Sequence, residues 1–206
     1  MVIKIKSFIL NLLKPFQMWL QRQGYQEPKI TSDTINMLLM RIMPGDILLS
    51  YESGRLTSPF IKGHFKHAAI VSDDLYVIEA VGDDYQVDWK GERKNLGGVR
   101  KVKLEDWLWR KNQIAVLRHK NLAYAIKASL ECKTYIGWGY DYSFSKDNKA
   151  YYCSELVYIS FSKFDNEFMR FVPECVDILP DYYLKSLGLD LMFNSRIDNQ
   201  WRAKSI

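Results

Sequence analysis

The chain has 206 residues, 48% hydrophobic and 26% charged, which suits one sizeable core with at most a small appendage and excludes a disordered chain. Its three widely spaced cysteines contain no C-x-x-C pair, so neither a disulfide framework nor a zinc site is expected, and the expected compartment is reducing and intracellular. A net charge of +5 favours anionic surfaces, but without a basic stripe no nucleic-acid partner is expected.

Along the chain, Ile5, Ile9, Leu12, Phe16 and Leu20 recur at helical spacing, with Lys4, Lys6, Lys14 and Arg22 available for a polar side. Residues 1–27 are therefore expected to form an amphipathic helix, kinked at Pro15 and distinct from a main domain over 28–206. Asn11 and Lys14 interrupt the apolar run, and no small-residue cleavage site follows, which argues against a secretory signal. The run also falls short of the ~18–20 apolar residues a bilayer span requires. Two placements stay open: docking on the domain's own core, or lying in a membrane interface as a peripheral contact.

After Pro28, "SDTINMLLMRI" predicts a short helix capped by Ser32 or Asp33. "MPGDILLSYE" predicts a Pro-Gly turn and an apolar strand. In "KHAAIVSDDLYVIEAV" two β-rich runs flank a Ser-Asp-Asp turn, which predicts a β-hairpin. Residues 83–98 are polar and aperiodic, a surface excursion. A strand, a short helix near Trp107 and the strand "QIAVLRH" follow, then the helix "NLAYAIKASLECKTYIG", ended by Gly137. The aromatic loop "GWGYDYSFSKDN" leads to "AYYCSELVY" and a further helix. From Pro173 the tail is expected to mix short helical and irregular pieces. Blocks of helices and strands with an antiparallel hairpin predict an α+β fold.

The hairpin brings chemistry together. With Ser72–Asp74 as a three-residue loop, His67 stands opposite Glu79 on one sheet face, close enough for a carboxylate to fix one imidazole nitrogen. A two-residue loop would send Glu79 to the other face. His64 lies in a turn with no carboxylate opposite, and His119 beside Lys120 looks like a surface residue. Cys153 stands where a helix begins, so the free N–H groups and the helix dipole favour its thiolate. Glu155 is expected to face solvent. A free cysteine is more often a packing residue, which is the simplest reading of Cys132 and Cys175. A thiol, an imidazole and a carboxylate together meet the requirement for nucleophilic acyl transfer. Asp73, Asp74, Asp83 and Asp84 read as turn carboxylates rather than metal ligands.

The order "PGDILL", "HAAIV…YVIEAV", "IAVLRH", "GYDYSF", "YYCSELVY" resembles the circularly permuted branch of the NlpC-type papain-like cysteine hydrolases. That branch includes the YiiX-like proteins, with lecithin–retinol acyltransferases as distant relatives. The resemblance covers Met43 to Phe161, and here the histidine precedes the cysteine, as the permuted order requires. It implies a permuted papain-like fold, an antiparallel sheet or barrel packed against helices. It also implies Cys153 as nucleophile, His67 as general base and then acid, and Glu79 as the residue orienting His67. Tyr151 is similar to the superfamily's oxyanion tyrosine, with Tyr152, Tyr51 and the Cys153 N–H as alternatives. The implied reaction is cleavage of an amide or ester through a thioester, with no cofactor and no metal. Two substrate classes compete, a lipid-like acyl compound and a peptide amide, including cell-wall peptides. A non-catalytic lipid- or membrane-binding module on the same fold is the alternative. The sequence does not specify an oligomeric state.

Overall fold

Thr31, one residue before the expected cap, starts the first helix: its Oγ1 accepts the Thr34 N–H at 3.2 Å, and α1 runs Ser32–Arg41. The computed structural model describes residues 30–52, 61–82, 85–87, 93–142, 149–172 and 177–197. The expected amphipathic helix over 1–27, the turn residues Asp83 and Asp84, and Cys175 lie outside the described residues.

Gly45, at φ +82°, turns the chain from α1 into β1 (Ile47–Tyr51); a Cβ there would stand 2.2 Å from the Ala125 carbonyl oxygen. The strands β2 (His67–Val71) and β3 (Tyr76–Val81) form the expected hairpin. β4 (Tyr85–Val87) and β5 (Arg93–Asn95) make a separate two-stranded ribbon in the polar excursion. β6 (Gly98–Lys103) leads directly into α2 (Leu104–Leu108), and β7 (Gln113–His119) into α3 (Leu122–Glu131). A 3-10 turn, Cys132–Tyr135, extends α3 and ends before Gly137, whose φ of +91° stops the helix as expected. α4 spans Cys153–Ser162, and a 3-10 segment, Pro180–Lys185, precedes β8 (Leu189–Asn194).

The main sheet runs β6-β3-β2-β1-β7-β8, every neighbouring pair antiparallel. β8 corrects the expectation of a tail made only of helical and irregular pieces: it pairs along β7 from Ala115↔Asn194 to His119↔Leu189. Helices cover both faces. Leu49, Ala68, Ile70 and Ala80 pack with Leu156, Val157 and Phe161 of α4 and Ala128 of α3. Leu48, Ala69, Val71 and Val77 pack with Leu38 of α1 and Trp107 and Leu108 of α2. Burial on both faces explains why these strands read as continuous apolar runs. The fold is therefore α+β, an antiparallel sheet between helices. Among the described residues no helix is long and apolar enough to cross a membrane.

The hairpin loop has the expected length at a different place. Ser72 donates its N–H to the Tyr76 carbonyl at 2.8 Å, so the loop is Asp73–Leu75, with Leu75 at φ +58°. The register is Ile70↔Ile78 and Val71↔Val77. Continued along the strands, it sets Glu79 diagonal to His67, rather than directly opposite as a Ser72–Asp74 loop would. The odd loop length still keeps both on one face. Asp73 and Asp74 pair with Lys133 and Lys101 at 2.6 and 2.5 Å, in keeping with turn carboxylates.

Candidate active site

Alternation along β2 and β3 puts His67 and Glu79 on the Trp107 face of the sheet. α4 packs on the opposite face but begins at the end of β2 where His67 lies, so its first residue reaches the imidazole. That residue is Cys153, with Tyr152 as an extended N-cap at φ −87° and ψ 169°. The Cys153 N–H, in the first turn, has no carbonyl four residues back to bond.

Cys153 is buried, yet its surroundings are polar. Burial pushes its thiol up, but hydrogen bonding and charge from His67, the Ala68 N–H and the Ser154 hydroxyl outweigh this and hold it below its ordinary value of 9.0. Ser154 Oγ lies 3.9 Å from the sulfur. For His67, burial pushes the imidazole down, while Cys153 and Glu79 carry it above its ordinary 6.5. The two directions agree: each group favours the charged form of the other, and the titration belongs to the pair rather than to either residue.

His67 Nε2 meets Glu79 Oε2 at 2.8 Å, which leaves Nδ1 for the sulfur. Glu79 is a hub. Oε2 also accepts the Trp107 indole N–H at 2.8 Å, and Oε1 accepts Arg100 Nε at 2.9 Å. Burial alone would raise this carboxyl; His67, Lys111 and Arg100 instead hold it well below the usual carboxylate range. Lys111, itself buried, pairs with Glu52 and lies 4.3 Å from the centroid of the Trp107 ring. No local sequence signal marks Trp107 or Arg100 as part of the site. Their link to Glu79 depends on the β3–β6 pairing Glu79↔Arg100 and on α2 folding back over the sheet.

The oxyanion candidates fall in different places. The Tyr151 ring stacks on Trp138 at 5.3 Å and meets Tyr135 edge-on at 5.1 Å. The Tyr152 hydroxyl accepts the Ile178 N–H at 2.9 Å. Tyr51 stacks on His64 at 5.4 Å. The carboxyl of Glu155, expected in solvent, is half-buried and takes the Tyr152 N–H at 3.4 Å. Burial, with Asp141 and Asp177 nearby, pushes it up to about 7, so it opposes a thiolate by less than a full charge at neutral pH.

The other histidines stand apart from this chemistry. His64 Nε2 lies 2.5 Å from Gln113 Oε1. His119 corrects the surface reading: it is buried, its Nε2 meets Asp165 Oδ2 at 3.0 Å, and its ring stacks on Phe161. Its Nδ1 accepts the Asn121 N–H at 3.0 Å, so the pair ties β7 to the start of α3 and the far end of α4. Cys132 is buried, and its thiol is pushed up to about 12 by that burial, as suits a packing residue.

With this geometry in place, the comparison that decides the family is a match to the permuted papain-like amidases of the YaeF/YiiX, C92 family over residues 41–169. The chain belongs to that family. A solved member of similar fold is the metalloprotein yiiX from Escherichia coli O157:H7, which is 17% identical, with a TM-score of 0.54, over 78% of this chain and 98% of that one. No curated protein matches the sequence. In this C92-family chain, among the described residues, no group of three His, Cys, Asp or Glu could hold a metal ion.

Proposed function

We propose that the chain is a cysteine hydrolase that cleaves an amide or ester of an acyl, lipid-like compound through a thioester on Cys153. The observation that carries this reading is the coupling of thiol and imidazole at the start of α4, with Glu79 engaged on the ring's other nitrogen. Family membership supports hydrolytic chemistry of the cysteine-amidase kind.

The Cys153 thiolate attacks the substrate carbonyl carbon, forming the C–S bond while the carbonyl oxygen gains the charge. The Cys153 N–H, with Tyr151 as the side-chain candidate, faces that developing charge; one such donor is worth ~100-fold or more in rate. As the C–N or C–O bond breaks, the His67 imidazolium gives its proton to the leaving amine or alkoxide. Neutral His67 then takes a proton from water, whose oxygen attacks the thioester. The C–S bond breaks, the acid leaves, and the proton returns the pair to its starting state. Glu79 holds the ring and stabilises its charged form throughout.

An apolar acyl group is supported by the aromatic residues of the chain that leads up to α4: the Trp138–Tyr151 stack and the Tyr140–Tyr142 pair at 4.8 Å, with Tyr142 half exposed. A peptide amide is the second reading, favoured by the amidase description of the family. Turnover measured across N-acyl amides, lipid esters and short peptides, with Cys153→Ala as control, tests both. Hydrolysis that persists in Cys153→Ala rejects the reaction. Peptide-only turnover rejects the lipid-like substrate, and no turnover of any class favours a binding module. A peripheral membrane contact through residues 1–27 belongs to the same proposal. Liposome co-sedimentation should then weaken in a chain that starts near Pro28, and equal binding would remove the contact.

A further inference from the structure

Beyond the matched residues 41–169, the segment Ile178–Tyr183 touches both halves of the site. Asp181 spans two consecutive backbone donors just before β2: Oδ2 accepts the His64 N–H at 2.6 Å and Oδ1 the Phe65 N–H at 2.8 Å. These residues are three and two positions ahead of His67. Gly63 makes room for that grip, since at φ +93° a Cβ would stand 2.6 Å from Asp181 Oδ2. Two residues further on, the fully buried Tyr183 donates its hydroxyl to the Ser154 carbonyl at 2.6 Å, one position after Cys153. At the front of the segment, Ile178 donates its N–H to the Tyr152 hydroxyl at 2.9 Å, one position before Cys153.

We infer that Ile178–Tyr183 is a clamp that sets the separation of the sulfur and the imidazole, with Asp181 and Tyr183 as positioning residues for the reaction. The inference rests on the cysteine-hydrolase reading and deepens it. Cys153 and His67 are 86 positions apart in the chain and lie on different elements, so their contact needs something that holds α4 against the strand end. The sheet fixes His67 and the core fixes the body of α4, but the first turn of a helix is where it frays. A single short segment bonded to Tyr152, Ser154, His64 and Phe65 ties that turn to the residues leading into the strand that carries His67. Neither Asp181 nor Tyr183 bonds the thiol or the ring, so both act through the backbone they hold. Misplacement of reacting groups by about 1 Å can cost ~100-fold in rate, which makes such a clamp kinetically visible.

The test uses the full chain and three variants. Asp181→Asn keeps the shape and one acceptor but sets an N–H₂ against a backbone N–H. Tyr183→Phe keeps the buried ring and removes one hydrogen bond. Asp165→Asn, which weakens the His119 pair at the far end of α4, is the stability control. The readouts are the pH midpoint of Cys153 alkylation by iodoacetamide, followed by peptide mapping, together with kcat, KM and Tm. Asp181→Asn and Tyr183→Phe should raise the alkylation midpoint toward that of an ordinary cysteine. They should also lower kcat by about tenfold or more, with KM within about twofold. Asp165→Asn should lower Tm and leave the midpoint in place. If Asp181→Asn and Tyr183→Phe lower Tm but leave the midpoint and the kcat-to-KM balance unchanged, the clamp is overturned. If the wild-type thiol already alkylates like free cysteine, the hydrolase reading fails instead, and the clamp falls with it.

Discussion

Trp107 donates its indole N–H to Glu79 Oε2, the same oxygen that holds His67 Nε2, each at 2.8 Å. The carboxylate is thereby fixed on three sides, by imidazole, indole and the Arg100 guanidinium, and it fixes the imidazole in turn. A hydrogen bond to a charged group contributes about 1.5–3 kcal/mol. Glu79→Gln, which removes the charge and keeps the shape, is expected to cut kcat by roughly 10- to 100-fold. Trp107→Phe keeps the ring and loses only the donor, so a drop of about threefold to tenfold is expected. Neither residue is placed against substrate, so steady-state kinetics should show KM nearly unchanged in both.

The pH dependence follows from the coupled pair. Cys153 is held below its ordinary 9.0, chiefly by His67 acting against burial. His67 is raised above its ordinary 6.5 by Cys153 and Glu79, again against burial. Below the pair's first titration the sulfur is protonated and there is no nucleophile. Above the second the imidazolium is gone, and the leaving group receives no proton. A bell-shaped profile of kcat/KM is therefore expected, its acid limb below the range of free cysteine and its alkaline limb above that of free histidine. Glu79→Gln removes a group that raises His67, so its alkaline limb should move to lower pH. A pH–rate profile of both proteins measures this directly.

Gly45 is a stability determinant remote from the chemistry. Its positive φ and its backbone contact with Ala125 leave no place for a side chain. Gly45→Ala is expected to cost about 2 kcal/mol or more, combining an unfavourable backbone conformation with a clash against α3. Urea denaturation should show the loss as a lowered midpoint.

Ser50 presents the opposite case. It pairs with His67 across β1 and β2, and its Oγ is buried with no hydrogen-bond partner among the described residues. Ser50→Ala removes an unsatisfied hydroxyl and should stabilise the fold by about 1 kcal/mol. A raised Tm with kcat within about twofold is the expected result; a fall in kcat would assign the hydroxyl a part in the site.

The hairpin was legible because turn residues and β-branched runs are local signals, and loop parity alone decides whether His67 and Glu79 share a face. Its register was not, since the loop closes on Leu75 in a left-handed conformation that its residue type does not announce. Cys153 could be placed at a helix start from the aromatic lead-in and the run after it. Trp107 and Arg100 could not be tied to Glu79, because those contacts exist only once β6 pairs with β3 and α2 packs over the sheet. His119 beside Lys120 reads as exposed, whereas pairing with β8 and the rings of Phe161, Phe168 and Tyr124 bury it. β8 itself, "LDLMFN", is short and follows a glycine, and its strand state comes from docking on β7. Helix caps shift by a residue for a similar reason: Thr31, Ser32 and Asp33 are all competent, and the backbone geometry selects Thr31.

On the proposed mechanism, His67 draws the Cys153 thiol toward its thiolate. The rate of iodoacetamide alkylation at Cys153, mapped by peptide mass and followed against pH in wild type and His67→Ala, tests it most directly. The expected wild-type midpoint lies well below the ~8.5 of free cysteine, with a large upward shift in His67→Ala. A wild-type midpoint at the free-cysteine value, unmoved by His67→Ala, would contradict it.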